Sequence, residues 1–484
     1  MGDLIPESIN ALKPKGTLIK FINKGYYVYT NSKHKDEATG KWKTDPGKLV
    51  GKIVPGLGYI PKGTKVSNSG ITCYDYGSYL LAMTVGKEEF ELLKKCFNAE
   101  ESLQLFSLAC IFAIEGFVGI KPAESYYERS LMRYHYPNVK FSYHTISKLL
   151  SYVGRTDNAY TFQKLCLESA NTLAVDGHVL PSDSNNSDLS FNGYKAKECK
   201  GQQMNLLVAL DIDSHLPVAT KVFPGYMVDK SDFSEFIEPL GNMENKLFIM
   251  DNGFYSEDNV NFIKSKKADY IMPLAKSTES YKEAIKPSRG RKPQFLYHSD
   301  KQTDIIEYSE IQSVTKGKRV IFFKNQSEND MMVKQYMQKI EEGSKSHTEE
   351  KLEKYKKSFG VIVLETSLSC SAKEVYNFYK SRWAIETYYD RIKNTLDFSE
   401  LNQSDYGEIQ GLAFVMLIGG RLNQKILKAA KLINKGGKEL LRIMSALKLY
   451  KSGKRASVCN TKKEHIEIAK KLNLSFDPSI KILS

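Results

Sequence analysis

Two short apolar runs, each ending on an aspartate, constrain this chain more than any other feature. Leu173-Ala174-Val175 leads into Asp176-Gly177, and Leu247-Phe248-Ile249-Met250 leads into Asp251-Asn252-Gly253. A continuous apolar run reads as a strand covered on both faces, as in an α/β sheet. The carboxylate at its end then emerges at the sheet's carboxyl edge, where open α/β sheets place their ligand sites. Two carboxylates there, with room for a third, are what a pair of Mg²⁺ ions needs, because Mg²⁺ combines one or two protein carboxylates with water and phosphate oxygens. Taken singly, either aspartate reads more readily as a strand-end turn residue.

The surrounding pattern supports a sheet. Met204–Leu210, Val218–Val222 and Tyr270–Pro273 are further apolar runs, and Lys230–Leu240 and Asp258–Lys264 have helical spacing between them. Such alternation is the mark of an α/β domain. Residues 1–85 read as β-rich between Gly and Pro turns, and residues 87–168 as helical. Ser142 before Tyr143-His144-Thr145 looks like a helix start, with Gly154 as its stop. Residues 281–358 are polar and Lys-rich, with period-2 strands at Thr303–Tyr308 and Arg319–Phe323 and a charged stretch from Asn325 to Lys357; they read as an insertion. The sheet resumes at Gly360–Leu364, a helix starts at Ala372, and residues 431–484 read as helical and basic. The expected division is therefore 1–168, 169–280, 281–358, 359–430 and 431–484.

A formal charge of +14 favours a polyanionic partner, nucleic acid or an anionic membrane surface. The membrane reading lacks support. Cys110–Ile120 and Gly411–Gly420 are the longest apolar runs, and at about ten residues neither spans hydrocarbon. The first twenty residues have no signal-peptide core. A cytoplasmic, nucleoid-associated protein is expected. The seven cysteines are scattered, without C-x-x-C or zinc spacing, which argues against a zinc-finger mode of binding.

The helix after residue 372 brings in the third acid. At about 100° per residue, Tyr379, Arg382, Glu386 and Lys393 fall within roughly 60° of one face, while Phe378, Ile385, Ile392 and Leu396 cluster on the next. A solvated face with an Arg382–Glu386 pair would look the same. Asp390 also falls near this face, so geometry alone does not select Glu386.

The spacing Tyr379-x2-Arg382-x3-Glu386-x6-Lys393 resembles the YREK signature of bacterial insertion-sequence transposases, DDE enzymes with a ribonuclease-H-like core. Other segments match in order: Leu173–Asp176, the runs Gln203–Asp211 and Val218–Phe223 with Gly225–Asp229, Phe248–Ser256, and Gly360–Ser367. The resemblance covers about residues 170–425. It implies an α/β ribonuclease-H-like catalytic core, a mixed sheet with flanking helices, interrupted by a β-rich insertion. A DNA-binding region, first β then α, would precede the core, and a helical C-terminus would follow it.

The resemblance further implies that Asp176, Asp251 and Glu386 are catalytic and bind two Mg²⁺ or Mn²⁺ ions. Tyr379, Arg382 and Lys393 would grip DNA phosphates. The partners would be double-stranded DNA, both terminal inverted repeats and target, with a homodimer in the DNA complex. Basic stretches Lys41–Lys52, Arg129–Arg155 and Lys425–Lys463 are candidate DNA contacts, and helix 144–153 either enters a groove or is an amphipathic core helix. The chain departs from the family at Asn252, where Arg is usual, and in having no tryptophan in the insertion, since its two are Trp42 and Trp383. Trp383, Tyr297 and Phe322, or Phe295, Tyr308 and Phe323, are the aromatic candidates for stacking on a base. A ribonuclease-H-like nuclease without strand transfer, and a domesticated protein that only binds DNA, are the competing readings.

Overall fold

The computed structural model describes residues 5–22, 25–35, 39–40, 42–54, 58–62, 72–184, 186–193, 201–227, 229–286, 294–300, 302–312, 318–453, 455–476 and 480–482. The chain divides into two compact units, 1–73 with 450–457, and 74–449 with 458–484. In the first unit, strands Thr17–Ile22, Gly25–Lys35, Trp42–Val54 and Gly58–Pro61 pair antiparallel in sequence order. Ile9, Ile19, Val28 and Ile53 form its small core. Lys41 and the side chains of residues 43–46, part of the basic stretch Lys41–Lys52, lie outside the described residues.

The second unit opens with helices. Two of them, α1 (Ala99–Glu115) and α2 (Tyr143–Val153), pack against the long helix near the other end of the unit, Tyr406–Leu432. Both begin on side chains that cap the first turn: Asn98 and Glu101 form a reciprocal capping box, and the Ser142 hydroxyl accepts the Thr145 N–H. The expected start of α2 at Ser142 and its stop at Gly154 are both present.

A ten-stranded mixed sheet follows. Its labelled strands are β1 (Thr172–Pro181), β2 (Gln202–Asp211), β3 (Leu216–Pro224), β4 (Leu247–Met250), β5 (Asp269–Pro273), β6 (Gln294–Asp300), β7 (Gln302–Gln312), β8 (Arg319–Asn325) and β9 (Val361–Thr366). The order is β6-β7-β8-β9-β5-β4-β1-β2, with β3 and the short Phe191–Asn192 also on β2. β4 runs parallel to both β1 and β5, and all other pairs are antiparallel. The apolar runs at 173–175, 247–250 and 270–273 are these three parallel strands, buried throughout β4 and the first half of β1.

Segment 281–358 holds strands, as its period-2 pattern predicts, but they lengthen the same sheet. β8 pairs with β9, and Val320 packs with Leu274, Tyr281 and Val363 in one apolar cluster. The charged stretch after it is helical, Gln326–Glu341 and Glu349–Tyr355.

Beyond β9 come α3 (Ala372–Ser381), α4 (Trp383–Asn394) and α5 (Tyr406–Leu432). Long α5 is buried along most of its length, against α1, α2 and β3. The expected all-helical C-terminus needs correction. Strands Lys448–Ser452 and Arg455–Cys459 interrupt it, because Ser452-Gly453 turns the chain, with Gly453 at φ +58°. No single helix among the described residues is long and apolar enough to cross a membrane.

Candidate active site

Parallel pairing brings the first two acids together. Ile249 stands opposite Ala174 and Met250 opposite Val175, so Asp251 and Asp176 are the next residues on adjoining strands. Neighbouring strands lie about 4.8 Å apart. The two aspartates are held alike: Asp176 Oδ1 accepts the Gly177 N–H at 2.8 Å, and Asp251 Oδ1 accepts the Asn252 N–H. One part of the expectation is corrected. Asp176 does not end its strand, because β2 pairs with β1 as far as Pro181 and stands Val208 opposite Asp176. It is β4 that stops at Met250, leaving Asp176 at the point where the parallel ladder ends.

The third acid arrives on α4. The sequence predicts one helix from Ala372 with an unbroken stripe, whereas two helices meet at Arg382. There the bonds tighten to three-residue spacing, Arg382 N–H to the Tyr379 carbonyl and Ile385 N–H to that of Arg382. The tightening marks the junction at which α3 ends and α4 begins. α4 buries Ile385, Tyr388, Tyr389 and Ile392, while Phe378 on α3, expected on the docking face, is 36% exposed.

Arg382 ties the acids together. Its Nη2 donates to Glu386 Oε1 in an i,i+4 ion pair, and its Nη1 lies 3.5 Å from Asp176 Oδ2. The guanidinium sits 5.9 Å from the centre of the Tyr379 ring. Its side chain is only 13% exposed. Burial by itself lowers the Arg382 pKa, but the combined field of Tyr379, Asp176, Asp251 and Glu386 outweighs this and holds it above the ordinary arginine value. Burial raises the Tyr379 hydroxyl, and the charge of Asp251 adds to that against the pull of Arg382. Tyr379, Arg382, Asp176, Asp251 and Glu386 thus share one electrostatic neighbourhood.

The remaining candidate residues are spread more widely. Lys393 is exposed on the last turn of α4, about 10 Å along the axis from Glu386. Trp383 is 68% exposed at the start of α4. Phe322 is half-buried against the Leu274–Val363 cluster, Phe323 is fully buried, and Phe295 is exposed. The Tyr297 side chain lies outside the described residues. Three arginines of the 129–155 stretch are engaged within the protein, Arg129 with Asp75, Arg133 with Glu128 and Arg155 with Asp405.

Tyr389 is the site residue that sequence reasoning missed. Its hydroxyl donates to the Asp176 carbonyl at 2.7 Å, and its ring stacks on His178 at 5.0 Å. The helix that carries Glu386 is thereby fastened to the strand that carries Asp176. The available signal was the Tyr388-Tyr389 pair on the apolar side of the helix. His178 lies on β1 with its ring stacked on that of Tyr389.

The donor set consists of carboxylate oxygens, the ligand chemistry a hard divalent cation prefers. Among the described residues no three His, Cys, Asp or Glu side chains stand close enough to hold a metal between them. Asp176 and Glu386 instead flank the Arg382 guanidinium.

Residues 168–414, just over half of the chain, match the family model described as Transposase DDE domain. No curated protein matches the sequence. Among solved structures, the chain is similar to a piggyBac transposase synaptic complex with hairpin DNA, at 11% identity and a TM-score of 0.40, over 77% of this chain and 80% of that one.

Proposed function

The chain belongs to the transposase DDE domain family, and from that premise we propose that it is a DNA transposase of insertion-sequence type that cuts element ends and joins them to target DNA. The observation that carries the site assignment is the register of β1 and β4, which makes Asp176 and Asp251 neighbours, with Glu386 drawn to the same place through Arg382. In this reading the core is ribonuclease-H-like, with Asp176, Asp251 and Glu386 as its catalytic acids.

Those three carboxylates would hold two Mg²⁺ or Mn²⁺ ions. When bound, such ions supply activation of the attacking oxygen and stabilisation of the leaving one. Water adds to the phosphorus at the element end, and the bond from phosphorus to the 3′-oxygen breaks. The freed 3′-hydroxyl then attacks a target phosphate and displaces the target's own 3′-oxygen. No covalent attachment of a side chain is required, so Tyr379 need not be a nucleophile. Arg382 exchanges its carboxylate partners for a DNA phosphate, which suits its planar fork. Tyr379 and Lys393 contribute a hydroxyl and a point charge along the same strand. Residues 1–168 recognise the terminal inverted repeats, residues 425–463 contact DNA or a second subunit, and a homodimer holds two ends in the cytoplasm on the nucleoid.

Purified protein with Mg²⁺, a labelled duplex carrying the terminal repeat and a supercoiled target, run beside Asp251→Ala, tests this reading. End-specific nicking and a joined product, both lost in the variant, are expected. Cleavage without joining points to a nuclease. Binding without cleavage in either Mg²⁺ or Mn²⁺ points to a protein that only binds DNA.

A further inference from the structure

Helix α4 has a second flank that the catalytic reading leaves unused. With Trp383 at zero and about 100° per residue, Glu386 and Lys393 fall at about 300° and 280°, Thr387 and Arg391 at about 40° and 80°, and the buried face at about 190°. The exposed Trp383 therefore crowns a ridge with the acids on one side and Arg391 on the other. On the Arg391 side lies a pocket of about 150 Å³, completed by His215 from the β2–β3 turn and by Gln424, Lys428 and Lys431 from α5.

Three cations, Arg391, Lys428 and Lys431, line the pocket. Arg391 Nη1 donates to the buried Gln424 Oε1 at 2.6 Å, which fixes the guanidinium without neutralising it. Among the described residues no carboxylate forms an ion pair with Arg391, Lys428 or Lys431. His215 is held at φ +56°, facing these charges. Burial lowers its pKa first, and Lys428, Lys431 and Arg391 lower it further against the partial opposition of Asp211. The nearby Asp211 carboxylate accepts the Ser214 N–H at 3.0 Å within its own turn. Three cations converging on a cavity of phosphate size, beside a fixed amide, make an anion site.

We propose that this pocket takes a backbone phosphate of the DNA that crosses the Trp383 ridge to reach the acids. This rests on the transposase reading, since the same chemistry would also hold a free phosphate.

The test measures affinity for a fluorescent duplex against salt concentration, for wild type, for Lys428→Ala/Lys431→Ala, and for Lys282→Ala/Lys286→Ala, which removes the same charge elsewhere. Calorimetry with inorganic phosphate is run in parallel. The pocket variant is expected to bind more weakly, with a slope of log affinity against log salt shallower by about 0.9 for each phosphate no longer neutralised, while the control keeps the wild-type slope. An unchanged slope in the pocket variant, or an equal change in the control, overturns the proposal. Loss of inorganic phosphate binding with an unchanged duplex slope also overturns it, in favour of a free-phosphate site. Wild type that binds no duplex sinks the transposase reading itself, an outcome distinct from a pocket that does not matter.

Discussion

At the scale of single residues, the site depends on groups that hold the acids as much as on the acids. Tyr389 spans 213 residues of sequence to place its hydroxyl on the Asp176 carbonyl. Tyr389→Phe keeps the ring on His178 and removes the hydroxyl, with its bond to the Asp176 carbonyl and its longer 3.4 Å contact with the Leu206 carbonyl. Stability should fall by about 1 kcal/mol, the net worth of one intramolecular hydrogen bond, as read in urea unfolding. If Glu386 and Asp176 act as proposed, DNA cleavage should fall more than DNA binding, because the helix carrying Glu386 loses one of its ties to the strand carrying Asp176. Equal losses in both would show that the hydroxyl acts only on stability. Asp176 and Asp251 stood out because the apolar runs leading into them are local patterns, whereas Glu386 was singled out from Asp390 only by the YREK resemblance. Tyr389 did not stand out, because its partner is a carbonyl on a distant strand, and backbone acceptors leave no trace in residue identity. That Asp176 lies inside its strand was equally hidden, since the extension to Pro181 depends on pairing with β2.

At the scale of elements, α5 is the axis on which the second unit is built, and it meets α2 at backbone contact. A Cβ on Gly411 would lie 2.1 Å from the Leu150 carbonyl oxygen, and one on Gly154 would lie 2.0 Å from that of Gly407. Helix propensity alone predicts that Gly411→Ala stabilises by about 1 kcal/mol. The crossing predicts the opposite, a loss of about 1–3 kcal/mol from forced separation. The sign of the change in the urea midpoint decides between them.

The start of α5 adds a pH dependence. The Asp405 carboxylate caps the helix through the Glu408 N–H and also takes Ser151 and Arg155. Chiefly through the Arg155 hydrogen bond, its pKa is held well below the usual carboxylate range. A depressed folded-state pKa contributes stability that is present above the unfolded value, about 3.9, and is lost as pH falls through the lower folded one. Asp405→Asn should therefore flatten the acid limb of the stability profile below about pH 4. Both partners are more than 40% exposed, so the loss at neutral pH should stay under about 1 kcal/mol. The elements themselves were largely readable, from apolar runs and caps. Two features were not: the turn at Arg382 that splits α3 from α4, and the merging of segment 281–358 into the main sheet. Propensity registers neither, because three-residue bonding and strand pairing are settled by what the segments dock against.

At the scale of the whole molecule, helices before residue 168 and the sheet after it share buried charge. Arg421 on α5 donates to Glu89 and to the Pro217 carbonyl at the start of β3, and Lys425 completes the group. Glu89 is fully buried and Arg421 is 4% exposed, so the group is a specific joint between helix and sheet rather than a surface pair. The sequence offered only a patchwork of basic stretches here, because which charges face inward is decided by packing. The positive excess of +14 was readable at once, but not that part of it converges on the pocket beside α4.

The placing of the two tryptophans has an optical consequence. Trp42 is 69% exposed and Trp383 68% exposed, and the sequence has no other indole. Both already emit from water in the native state, so the colour of their fluorescence should hardly change when urea unfolds the chain, even as circular dichroism records the transition. A strongly blue-shifted native emission would contradict this placement of the indoles. Their brightness becomes a reporter of binding instead: in a Trp42→Phe background, quenching of the remaining indole on adding duplex would read out occupation of the α4 ridge alone.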